Sequence, residues 1–197
     1  MRSAISASAR LENLVGAQSG KPRPRARYHR SVQELQVLHD EPLFAVAAHH
    51  NLVIALWRDA PEVSWVRSLV AASERHVAQH ERKCALVNLV VSGTPSFRED
   101  ARNELMKMSR RRDLYPVVAH VVQLDGLVGA AVRAFLSTLL VLSRTKAPIK
   151  VFAEPTAAGD WLVPQLGDDW TCDTVFTACE SVVARLGWGE RQVEGRR

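Results

Sequence analysis

Ala85-Leu86-Val87-Asn88-Leu89-Val90-Val91, then Ser92-Gly93-Thr94-Pro95 and Ser96-Phe97-Arg98-Glu99, is the stretch that decides the fold. The first seven residues are apolar apart from Asn88, the pattern of a central strand covered on both faces. Gly93 and Pro95 break it. Ser96 stands three residues before Glu99, a capping-box spacing that predicts the next helix to start there. Phe97, Ala101, Leu105 and Met108 would line its inner face, and Arg110, Arg111 and Arg112 would meet its carbonyl end favourably. Strand, short loop and helix together make half of a β-α-β unit.

The same grammar extends in both directions. Upstream, residues 43–48 and 52–57 are apolar runs separated by His49-His50-Asn51, which reads as a hairpin. Arg58-Asp59-Ala60-Pro61 ends the second run, and Pro61 suits the first turn of a helix. Val63, Val66, Leu69, Val70, Ser73 and Val77 then recur at three- and four-residue steps, predicting a helix to about His80. Downstream follow a strand over 117–124, a nearly uncharged helix over 127–143 and a strand over 149–153 ended by Pro155. A loop at 167–169 precedes a final helix over 172–186, with Val175, Phe176, Cys179, Val182 and Val183 on its apolar face. The expected fold is α/β, a mixed and mostly parallel sheet of about five strands with helices packed on it. Its order is ββαβαβαβ plus a C-terminal helix.

Charge divides the chain unevenly. Residues 1–30 hold Arg2, Arg10, Lys21, Arg23, Arg25, Arg27 and Arg30 against Glu12 alone, while the rest is almost balanced. Lys21-Pro22-Arg23-Pro24-Arg25 cannot close into a helix, so 1–30 is expected to be a flexible basic arm. Residues 31–190 are expected to form one domain, with 191–197 a polar tail. The longest nearly apolar run, 128–143, contains Arg133 and is shorter than the roughly 20 residues that span a bilayer. No continuous apolar segment follows the basic start, so a secretory signal is not expected. Cys84, Cys172 and Cys179 are an odd set without metal-ligand spacing, which fits a reducing, cytoplasmic location.

The layout resembles the STAS domain, especially its anti-sigma-factor-antagonist-like members, over roughly residues 40–155. The resemblance is carried by the hairpin ending in Leu52-Val53-Ile54-Ala55-Leu56-Trp57 and by the strand Cys84-Ala85-Leu86-Val87-Asn88-Leu89-Val90-Val91. The capped helix from Ser96 and the strand–helix pair 117–143 complete it. It implies a non-enzymatic signalling module that docks other proteins. In phosphoswitch members a serine in an Asp-Ser-Ser/Thr-Gly motif opens the second helix and is phosphorylated. Ser96 occupies the corresponding place, but Ser92-Gly93-Thr94-Pro95-Ser96-Phe97 lacks both the Asp and the following Gly.

The loop 92–96 is the most site-like feature. Ser92, Gly93, Thr94 and Ser96 could cradle an anion at a helix N-terminus, with Arg98 and Arg102 assisting. The plainer alternative is a turn with Ser96 as N-cap. Nothing matches a phosphate-binding glycine loop, a dinucleotide fingerprint or a nucleophile elbow. His76 and His80 share a helix face at zinc-binding spacing, yet no third ligand is evident and a solvated polar face is the simpler reading. Asp125-Gly126 reads as a turn. The helix over 127–143 is apolar nearly all round, so either the C-terminal helix or a second subunit is expected to cover it. Val132, Phe135, Leu136, Leu139 and Leu140 are the candidate interface.

These readings point to a STAS-like protein-interaction module in cytoplasmic signalling or assembly, with no cofactor and no catalytic set, and homodimerisation through the apolar helix. Two alternatives stay open: a small-molecule or lipid binder with a pocket between sheet and helices, and nucleic-acid binding through the basic arm.

Overall fold

A computed structural model describes residues 35–79, 84–93, 98–143, 148–167 and 170–185. The expected arm, the C-terminal tail, Thr94, Ser96 and His80 lie outside the described residues. The chain order is β1 (Gln36–Glu41), β2 (Phe44–His49), β3 (Leu52–Trp57), α1 (Val63–Val77), β4 (Ala85–Val90) and α2 (Glu99–Met108). β5 (Val117–Val122), α3 (Gly126–Ser143), β6 (Ile149–Phe152), α4 (Pro155–Leu166) and α5 (Cys172–Arg185) follow. The protein is α/β, with a mixed sheet of six strands in sequential order among the described residues. β1, β2 and β3 pair antiparallel, and β3 to β6 pair parallel.

Two elements exceed the expected set. β1 carries His39, Asp40 and Glu41 and lacks a strand's apolar content, because it is a half-exposed edge strand. The register shifts between Val37 and His39, so Leu38 is the extra residue of a bulge that twists the edge. α4 occupies the stretch after Pro155 to which the sequence pattern assigns no element. Pro155 does end the strand, but it also sits at the first turn of a helix, where its missing N–H costs nothing. Ala158, Leu162 and Leu166, at four-residue steps, are buried and hold that helix to the sheet despite Pro164 within it.

Side chains alternate across the strands. Phe44, Val46, Val53, Ala55, Trp57, Leu86 and Val118 meet Trp65, Val66, Leu69 and Ala72 of α1 and Met108 of α2. Ala45, Ala47, Ile54, Leu56, Val87, Leu89, Ala119 and Val121 meet α4 and α5 on the other face. Right-handed crossovers between successive parallel neighbours put α1, α2 and α3 on one face. The C-terminal helix therefore does not cover α3, because it lies with α4 against the opposite face. Leu127, Val128 and Val141 of α3 are exposed. Among the described residues, no helix is long and apolar enough to cross a membrane.

Three local expectations change. α2 begins at Glu99 with Arg98 as N-cap and no side-chain cap, so the helix starts beyond the Ser96 capping box. Glu99 and Asp100 supply first-turn carboxylates instead. α1 has Glu62 as its N-cap, which leaves Pro61 outside the helix. His76 is not on a solvated face: it is buried, and its Nε2–H donates to the His50 carbonyl at 2.7 Å. That bond fastens α1 to the β2–β3 turn, where His50 holds a left-handed φ of 51°.

Candidate functional site

Position in the parallel ladder brings the site together. Asn88 of β4 pairs in register with His120 of β5, and with Ala55 of β3 on its other side. Equivalent positions on adjacent strands point to the same face, so Asn88 and His120 stand side by side. Trp57, two residues beyond Ala55, shares that face and donates its indole N–H to Asn88 Oδ1 at 3.1 Å. An indole can only donate, so the amide must turn its oxygen toward Trp57 and its Nδ2 away. Asn88 is 2% exposed, and its Nδ2 has no hydrogen-bond partner among the described residues.

These side chains floor a cleft near the carboxyl ends of β3, β4 and β5. Asp59, Ala60 and Pro61 form one wall, with Ser92 and Gly93 beside them, and Leu105 of α2 faces Leu124, Val132 and Leu136. About 560 Å³ of atom-free space, counted to the open mouth, lies between the walls. Burial lowers the pKa of His120 to about 4, which leaves its imidazole neutral at physiological pH.

Backbone contacts set the walls. Ser92 Oγ donates to the Arg58 carbonyl at 2.7 Å, tying the β4 loop to the β3 loop. Gly93 has φ 112°, and a Cβ there would sit 2.9 Å from Asp59 Cα, so only glycine lets the two loops approach. Across the cleft, a Cβ on Gly129 would fall 1.7 Å from the Leu124 carbonyl oxygen. Arg133 locks the same junction by donating to the Val122 and Leu124 carbonyls, each at 3.2 Å.

Ser92 and Gly93 thus lie in the cleft wall, but Arg98 and Arg102 are exposed on α2 and do not line it. Arg98 pairs with Asp100 at 3.2 Å. Of the candidate interface on α3, Val132 is buried and Leu136 half-buried, and both face the cleft. Phe135 and Leu140 are half-buried, and the side chain of Leu139 lies outside the described set. Asp125 is exposed in the turn before α3. Among the described residues, no group of three or more His, Cys, Asp or Glu is placed to hold a metal ion.

Asn88, His120 and Trp57 were not anticipated as site residues. Their signal is positional: Asn88 lies three residues after Ala85, and His120 three after Val117, the first residues of β4 and β5. Polar residues at the same offset in two neighbouring buried strands meet wherever those strands pair in parallel register. No family model, curated protein or solved structure matches this chain.

Proposed function

We propose that this chain is a binding domain whose cleft takes a small, largely apolar molecule. The observation that carries the reading is the apolar cleft over a polar floor of Asn88 and His120, the usual composition of a small-molecule site. Its position near the carboxyl ends of parallel strands is also where α/β proteins most often bind ligands. The reading stays within the resemblance to STAS-like modules, with the docking of a small molecule placed ahead of the docking of a protein. Native mass spectrometry of full-length protein isolated from its own cells tests it. A discrete adduct should accompany the native chain and be absent from Leu136→Trp, whose indole would fill the cleft from a half-buried position. An adduct retained by a folded Leu136→Trp protein would remove the cleft from consideration.

A second reading, a protein-docking module using α3, is favoured by one observation. Leu127 and Val141 are 90% and 78% exposed, and Val128 adds to the same helix. Sedimentation of the native chain beside Leu127→Glu/Val141→Glu decides whether self-association uses it. A change in mass in the variant supports a homodimer, and identical masses remove that form of the reading.

A further inference from the structure

We propose, resting on the cleft reading above, that the ligand is an uncharged molecule with an apolar body and an oxygen acceptor for Asn88 Nδ2. Trp57 fixes the direction of the Asn88 amide by occupying its oxygen, so the group left for a ligand is a donor. That donor is buried and lacks a partner among the described residues, and a buried polar atom in this state is costly until something accepts from it. A carbonyl or hydroxyl oxygen entering the cleft would complete it once the amide tips toward the ligand, since Nδ2 is buried beneath the cleft surface. The apolar body would lie against Leu105, Val132 and Leu136.

Charge selects against ions. Among the described residues lining the cleft there is no Arg or Lys, and the acidic member is Asp59. Arg133, the nearby cation of α3, is committed to two carbonyl oxygens. His120 stands beside Asn88 as a neutral imidazole. A carboxylate here would lose its hydration without gaining a counter-charge, which disfavours binding. An ammonium group would meet the N–H of Asn88 at the floor, donor against donor, and its one counter-charge among the described lining residues is Asp59, which is exposed at the wall and already accepts from the Ala60 N–H at 2.7 Å. A neutral head avoids both penalties.

Cyclohexanone, cyclohexanecarboxylate and cyclohexylammonium test this on the full chain at pH 7.5, with affinities from NMR titration of backbone amides. The ketone should bind at least about ten-fold more tightly than either ion. Asn88→Asp keeps the acceptor for Trp57 but exchanges the donor for an oxygen, and should weaken the ketone by about ten-fold. Carboxylate or ammonium binding as tightly as the ketone overturns the proposal and leaves the cleft reading intact. Unchanged ketone affinity in a folded Asn88→Asp chain also overturns it. Should that variant fail to fold, the rank order on the native chain decides alone. If none of the three probes binds, the cleft reading itself fails and this proposal with it.

Discussion

His120 makes the stability of this protein depend on pH in a calculable way. Its pKa is lowered from 6.5 to about 4 by burial alone. A base with a depressed folded pKa binds fewer protons folded than unfolded between those two values. The unfolded state therefore gains as pH falls: stability is full above about 6.5, declines toward 4 and levels off below that. A shift of this size corresponds to roughly 3 kcal/mol across the window. That is a large part of the 5–15 kcal/mol typical of a domain. Urea unfolding of the native chain and His120→Gln at pH 7.5, 6.5, 5.5 and 4.5 would measure it. The native midpoint should fall by roughly 1–2 M more than that of the variant over this range. His49 is lowered in the same direction by burial and by His50, but it is present in both proteins and cancels. Glu104 and Asp113 are held below their usual values by hydrogen bonds to Lys107 and Arg111, so their stabilisation is lost only as pH falls below about 4.5. Parallel curves for the two proteins would refute the argument and show that the cleft keeps the half-buried imidazole hydrated.

The remaining predictions concern how the sheet holds its covering layers. Asn51 donates to the Leu166 carbonyl at 3.2 Å and accepts from the Trp170 indole at 2.8 Å, so Asn51→Ala strands two buried polar groups. It should cost about 2–5 kcal/mol in urea unfolding, and a loss below about 1 kcal/mol would show that water or rotation satisfies both. Gly129→Ala sets a methyl against the Leu124 carbonyl and should cost roughly 3 kcal/mol or more, because α3 must lift from the end of β5. Gly126→Ala, at φ 64° with open space around it, should cost only about 1 kcal/mol. Equal melting temperatures for the two alanine variants would contradict the close approach at Gly129.

The sequence revealed those elements whose apolar residues follow one period. β4 reads as a central strand because both its faces are buried, and α1 reads as a helix because Val66, Leu69 and Ser73 recur on one side and are buried. β1 and α4 escaped for opposite reasons. β1 is an edge strand that solvent permits to be polar, and its bulge at Leu38 breaks strict alternation. α4 is punctuated by Pro155, Gly159 and Pro164, which depress local helix propensity, and its stability comes from packing. Gly159 eases the approach of α5, since a Cβ would sit 3.0 Å from Cys172 Sγ and push that side chain back. The loop at 92–93 was legible as a break at a strand end because serine and glycine follow it, and the structure puts both in the cleft wall. The cleft floor was not, because a single Asn or His within an apolar run has no visible partner until the register between two strands is known.

That register explains why a cleft exists and why it carries chemistry. Sequential strand order sends every parallel crossover to the same side, so α1, α2 and α3 must cover one face between them. α2 has only 10 residues against 18 in α3, and it starts well beyond the end of β4. The carboxyl ends of β3, β4 and β5 are consequently roofed by Leu105, Val132 and Leu136 with space left between them. A gap of this kind ordinarily closes by placing larger apolar residues beneath it, since empty volume forfeits packing energy. Here the two positions beneath it hold an amide with an unused donor and an imidazole kept neutral. The Asn88 oxygen satisfies the Trp57 indole, but the amide donor is left without a partner among the described residues, and the imidazole weakens the fold as pH falls. Groups left uncompensated beneath a gap that apolar side chains could fill are expected where binding imposes a separate demand.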